Sequence, residues 1–116
     1  MSRKLYSIKL NDVFPISDNG IDYYNPNNKA VEFKETFASK RYQFKIPRDQ
    51  LENSDYIVFC FFSKEFFIHK SKYLLNKFIS RKGFKNGLIY IREGARKNYL
   101  YKTKSITNLK KVIDSY

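Results

Sequence analysis

With 116 residues the chain has the length of one domain, which at this size buries roughly two-thirds of the surface its unfolded form exposes. A hydrophobic content of 42% and an aromatic content of 18%, from 11 Phe and 10 Tyr, exclude an intrinsically disordered chain. The formal charge of +12 makes a polyanion the natural partner, nucleic acid through its phosphates or an anionic membrane surface through the same field.

From Met1 to Leu10 charged and apolar side chains alternate, with no apolar run long enough for a signal peptide or a membrane span, so a cytoplasmic protein is expected. Within this stretch Tyr6, Ile8 and Leu10 alternate with Ser7 and Lys9, which suits a short strand, with a short amphipathic helix as the alternative for so brief a segment. Asn11 to Gly20 holds Pro15, Asp18, Asn19 and Gly20 and reads as a loop. Gly20 to Tyr24 and Lys29 to Thr36 flank the turn residues Asn25-Pro26-Asn27-Asn28, the pattern of a β-hairpin. Tyr42, Phe44 and Ile46 alternate with Gln43 and Lys45 as a third strand, after which Pro47 opens a helical turn through Leu51.

Tyr56 to Phe62 is continuously apolar, as a central strand buried on both faces requires. Cys60 lies inside this run. As the only cysteine it can form no disulfide within the chain and has no second thiol for a zinc site, which fits a reducing compartment. Glu65 to His69 should pair beside the central strand, and His69, the only histidine, reads as a half-buried ring rather than a general base. Ser71 is placed to cap a helix carrying Leu74, Leu75, Phe78 and Ile79, which Gly83 ends. Leu88 to Arg92 and Tyr99 to Lys102 predict two more strands, and Ser105 a cap for a last helix with Ile106, Leu109, Val112 and Ile113 on one face. The expectation is a mixed α and β fold in one domain, residues 1–116, without repeats or linkers. Frequent Lys, Asn, Ile, Tyr and Phe are what an AT-rich genome encodes, as in a low-GC host or its virus.

Charge is uneven along this order. Residues 1–58 carry 9 basic and 8 acidic side chains, and residues 59–116 carry 14 basic and 3 acidic ones, an excess of 14 − 3 = +11 in the second half. Arg81, Lys82, Lys85, Arg92, Arg96, Lys97, Lys102 and Lys104, interleaved with Tyr99 and Tyr101, suit phosphate contacts with occasional base stacking. Gln43 and Lys45 are weaker candidates for the same role, against the default of a solvated strand face.

The chemistry centres on the hairpin. Glu32 and Lys34 alternate with Val31 and Phe33, so the charged pair points to one face and the apolar pair to the other. A tight turn brings Asp22 back against Glu32, and two adjacent carboxylates repel unless a cation sits between them. Oxygen ligands suit Mg²⁺ or Mn²⁺, which activate water and polarise phosphodiesters. The plain alternative is a cross-strand ion pair on a solvated face, worth at most about 1 kcal/mol.

Ile21-Asp22 at the end of one strand, Glu32-Phe33-Lys34 in the next, then a strand, a helical turn and the strand from Asp55 to Phe62 together resemble the core of the PD-(D/E)XK nucleases. That group includes restriction endonucleases, Holliday-junction resolvases and some homing endonucleases, and the resemblance spans roughly residues 18–69. It implies a restriction-endonuclease-like central mixed sheet flanked by helices, DNA as substrate and a homodimer. It further implies Asp22, Glu32 and the Phe33 carbonyl as metal ligands and Lys34 as the catalytic lysine. Ile21 stands in place of the family's proline, and the only upstream acids are Asp12 and Asp18. The rival readings are a basic nucleic-acid-binding module without catalysis and an adaptor or inhibitor that binds an acidic protein partner.

Overall fold

In the computed structural model, which describes residues 8–14, 21–38, 40–78 and 87–116, the first element is a short helix, α1 (Ile8–Val13). Over residues 8–10 this is the helical alternative and not the favoured strand, while Tyr6 and Ser7 lie outside the described residues. Leu10 and Phe14, four residues apart, are both fully buried, and the Phe14 amide donates to the Leu10 carbonyl at 2.8 Å. The helical period shows only when Phe14 is read with Leu10, because three alternating residues fit either period.

Strands β1 (Tyr23–Tyr24) and β2 (Ala30–Thr36) form the expected antiparallel hairpin, pairing Tyr23 with Val31 and Tyr24 with Ala30. Asn25 organises its turn: the side-chain oxygen accepts from the Asn27 and Lys29 amides at 3.0 and 2.7 Å. Its side-chain nitrogen donates to the Ile113 carbonyl at 2.8 Å, which ties the hairpin to the far end of the chain. Asn28 adopts φ +61°, a conformation asparagine tolerates better than most residues.

Strand β3 (Phe44–Pro47) leads into α2 (Arg48–Glu52), with Pro47 at the N-cap. The apolar run becomes β4 (Tyr56–Phe61), which turns through Phe62 and Ser63 into β5 (Glu65–Lys70) and then α3 (Ser71–Phe78). Next come β6 (Leu88–Ile91), a 3₁₀ turn (Glu93–Arg96), β7 (Tyr101–Thr103) and α4 (Ile106–Ser115). Ser105 caps α4 as expected, its hydroxyl accepting from the Asn108 amide at 3.2 Å. Ile79 and Gly83, expected at the end of α3, lie outside the described residues.

The main sheet has the order β1-β2-β4-β5-β7, with β2 and β4 parallel and every other pair antiparallel. A parallel neighbour needs a crossover, and β3 with α2 supplies it. β3 does not join this sheet. It pairs with β6 in a separate antiparallel ladder, Ile46 opposite Ile89.

Both faces of the main sheet are covered. Tyr23, Val31, Phe33, Val58, Cys60, Phe66 and Ile68 pack against Leu10 of α1, Phe14 just after it, and Leu109 and Ile113 of α4. Opposite, Ile57, Phe59, Phe61 and Phe67 pack against Leu51 of α2, Leu74 and Phe78 of α3 and the inward residues of β3 and β6. Full burial of each such side chain contributes about 1.5–3 kcal/mol. The fold is therefore mixed α/β, as expected, with its central strand buried on both sides. Among the described residues no helix is long and apolar enough to cross a membrane.

Candidate functional site

Asp22 and Glu32 are each only 1% exposed. The hairpin register, continued by one residue beyond Tyr23–Val31, sets Asp22 opposite Glu32. There β1 has ended, and the carboxylate of Asp22 takes over the missing strand's role: Oδ2 accepts the Phe33 amide at 2.8 Å. A strand residue presents its N–H and C=O to the same side, so the Phe33 carbonyl shares the side on which Asp22 lies.

Glu32 lies beside Ile57 and Lys34 beside Phe59, so both point to the face covered by α2, α3 and the small sheet. Lys34 is half-buried, and its Nζ donates to Oε1 of Gln50 on α2 at 2.6 Å. A neutral amide fixes the ammonium without cancelling its charge. Gln50 carried no signal in the sequence, because nothing in a five-residue helix tells which neighbour its side chain reaches.

Among the described residues no group of three or more His, Cys, Asp or Glu assembles. Asp12 is exposed and Asp18 lies outside the described residues. The Asp22 and Glu32 carboxylates and the Phe33 carbonyl are an oxygen-only set, of the kind that suits a hard divalent ion.

His69 is fully buried rather than half-buried, with Nε2 3.1 Å from the Ala95 carbonyl and its ring edge-on to Phe59. That contact calls for a proton on Nε2, and Nδ1 has no hydrogen-bond partner. Burial lowers the pKa below the ordinary 6.5, against a smaller upward effect of the Ala95 hydrogen bond. Cys60 is buried, and desolvation, aided by Glu35 and Asp22, pushes its thiol up and keeps it inert.

Of the basic candidates, Arg92, Arg96, Lys97, Lys102 and Lys104 are exposed, Arg96 ending the 3₁₀ turn and Lys102 lying on the edge strand β7. Gln43 and Lys45 are exposed too, but Lys45 stands on β3, opposite Tyr90, in the separate sheet. Arg81, Lys82 and Lys85 lie outside the described residues. Sequence reading missed the seat of Arg96: its guanidinium centre lies 4.1 Å from the Phe61 ring centroid.

A cleft of about 360 Å³ opens elsewhere, lined by Ser54, Asp55, Tyr56, Lys70 and Lys72 among others, and includes none of Asp22, Glu32 or Lys34. Comparison with protein-family models, with curated proteins and with solved structures returns no match to this chain. Function is accordingly read from the residues themselves.

Proposed function

We propose that the chain is a divalent-metal-dependent nuclease that hydrolyses DNA phosphodiester bonds, with Asp22 and Glu32 as metal ligands and Lys34 as the catalytic lysine. The observation that carries this reading is the burial of two carboxylates, Asp22 and Glu32, at opposed positions where β1 ends. Two carboxylates at opposed positions, with the Phe33 carbonyl on the same side as Asp22, supply the oxygen ligands that a hard divalent cation takes. Bound Mg²⁺ or Mn²⁺ would polarise a phosphodiester oxygen and lower the pKa of water.

The chain's own residues supply the rest. The Phe33 amide holds Asp22 in one orientation, and the Phe33 carbonyl offers a third oxygen on the same side. Gln50 holds Lys34 where its charge can orient the attacking water or stabilise the negative charge that develops on phosphate. The net charge of +12 brings the polyanion in. DNA as substrate and a homodimer, in which two active sites cut two strands, rest on the resemblance to PD-(D/E)XK nucleases. Resolvase, restriction and homing roles would all use this chemistry.

One observation favours a second reading, a nucleic-acid-binding module without catalysis. Asp22 spends an oxygen on a main-chain amide, and no third acid joins the pair among the described residues. The test is incubation with supercoiled, linear and branched DNA in Mg²⁺ or EDTA, repeated with Glu32→Gln and Lys34→Ala. The nuclease reading expects metal-dependent cleavage that both substitutions lower by about a hundredfold or more. Cleavage indifferent to them overturns the site, and tight binding without cleavage of any substrate supports the module.

A further inference from the structure

At the end of the main sheet where β4 turns into β5, aromatic rings form a continuous row. Tyr42 and Phe61 lie 5.0 Å apart, Phe61 and Phe67 5.6 Å, and Phe67 and Tyr99 5.3 Å, all steeply inclined to one another. The Arg96 guanidinium covers this row, 4.1 Å from the Phe61 centroid and 5.3 Å from that of Tyr42, while Arg96 itself stays exposed. Tyr99 is 42% exposed and Phe62, in the turn itself, 37%.

Phe62 also sits at φ +56°, in the left-handed region that a bulky side chain ordinarily avoids. The Phe62 amide donates to the Thr36 carbonyl at 2.9 Å, which holds the turn against the end of β2. A glycine or asparagine would meet the backbone requirement at lower cost. An exposed aromatic in a strained backbone conformation gains nothing for the turn from its ring, which leaves the ring available to a ligand.

The surroundings of the row are basic. Arg41 adjoins Tyr42, Lys64 follows the turn, and Arg92 and Lys97 flank the 3₁₀ turn, all exposed. Glu65 and Glu93 are the acids on the same segments. Arg92, Glu93 and Arg96 all act on the Tyr42 phenol, whose pKa burial raises, so these groups share one neighbourhood. The row also adjoins the proposed active site: Lys34 lies beside Phe59 and Thr36 beside Phe61 on the same face, about 7 Å further along the strand.

A planar guanidinium seated on a ring, exposed aromatic side chains beside it and surrounding cations are what unpaired bases and their phosphates recognise. A protein partner with an apolar surface would not call for the cations, and base-paired duplex keeps its ring faces stacked and out of reach. We infer that the exposed Arg96, Phe62 and Tyr99 with the half-buried Tyr42, backed by the buried Phe61 beneath the guanidinium, form a stacking platform for unpaired bases of a nucleic-acid strand. The inference deepens the nuclease reading and rests on its nucleic-acid substrate: the cut falls beside a single-stranded or unpaired segment rather than within continuous duplex.

The test is fluorescence anisotropy on the full chain with labelled single-stranded DNA, single-stranded RNA and blunt DNA duplex of about 12 nucleotides, within the span such surfaces cover. The variants are Arg96→Lys, which keeps the charge but loses the planar stack, and Phe62→Asn, which suits the positive φ. Each should weaken single-strand binding about tenfold while duplex binding changes less than about twofold. The melting temperature of Phe62→Asn should stay level or rise, which separates lost stacking from lost folding. A preference between the DNA and RNA strands identifies the sugar recognised. Single-strand affinity unchanged in both variants, or lost equally for duplex, overturns the platform. The two readings separate, because metal-dependent duplex cleavage with an inert platform leaves only the nuclease, and platform-dependent binding without cleavage leaves only the platform.

Discussion

Lys34 and Gln50 make the most direct residue-level claim, since one is assigned to the reaction and the other to holding it in place. Lys34→Ala should lower metal-dependent cleavage by about 10²–10³-fold, the usual cost of removing a group that stabilises developing charge. Gln50→Leu, which removes the amide oxygen that Lys34 donates to but keeps the ammonium, should cost less, up to roughly 10²-fold, and leave metal binding intact. Single-turnover rates on one DNA substrate check both, and equal losses would move Gln50 into the reaction itself. His69 carries a separate prediction. Its folded pKa lies below 6.5, so the unfolded chain takes up the proton first, and stability present above pH 6.5 is lost as the pH falls toward the folded value. The cause is local: a second ring proton would be buried at Nδ1, which has no partner. Melting temperature against pH should fall across this window in the native chain and fall less in His69→Gln; parallel curves would contradict it.

At the scale of elements, α4 and the hairpin hold each other. Tyr23 donates to Asp114 at 2.7 Å and accepts from Lys110, Lys110 pairs with Asp114 at 2.7 Å, and Asn25 reaches the Ile113 carbonyl. The strand end that carries Asp22 is thereby tied to the last helix. Ser105→Ala removes the cap of that helix and should cost about 1 kcal/mol, read from denaturant midpoints at unchanged slope. A larger loss would mean that the cap also holds β7. The elements legible in the sequence were those with strong local signals: the turn residues Asn25 to Asn28, the unbroken apolar run of β4, and Ser105 before an amphipathic helix. Those that escaped depend on distant partners. Alternation marks β3 as a strand, but its pairing with β6, more than forty residues on, leaves no local trace. Glu32 and Lys34 were readable as sharing a face. That Glu32 would be buried there was not, because the layer above it comes from α2, α3 and the small sheet. Arg96 was readable as basic, whereas its seat on Phe61 joins residues thirty-five positions apart.

For the whole molecule, the three-layer packing places a pair of carboxylates inside a chain that otherwise carries a large positive charge. Basic side chains outside attract the phosphates, and acids within would hold the cation that acts on them. Cation binding underlies the whole reading of the site, and it is measurable without knowing the substrate. Electron paramagnetic resonance titration with Mn²⁺, which loses its free-ion signal on binding, tests it on the native chain and on Glu32→Gln, each checked for folding by circular dichroism. The account predicts saturable binding that Mg²⁺ displaces and that Glu32→Gln weakens by at least about tenfold, a loss of 1.4 kcal/mol. Equal Mn²⁺ affinity in the native chain and Glu32→Gln, or no binding by the native chain, would contradict it.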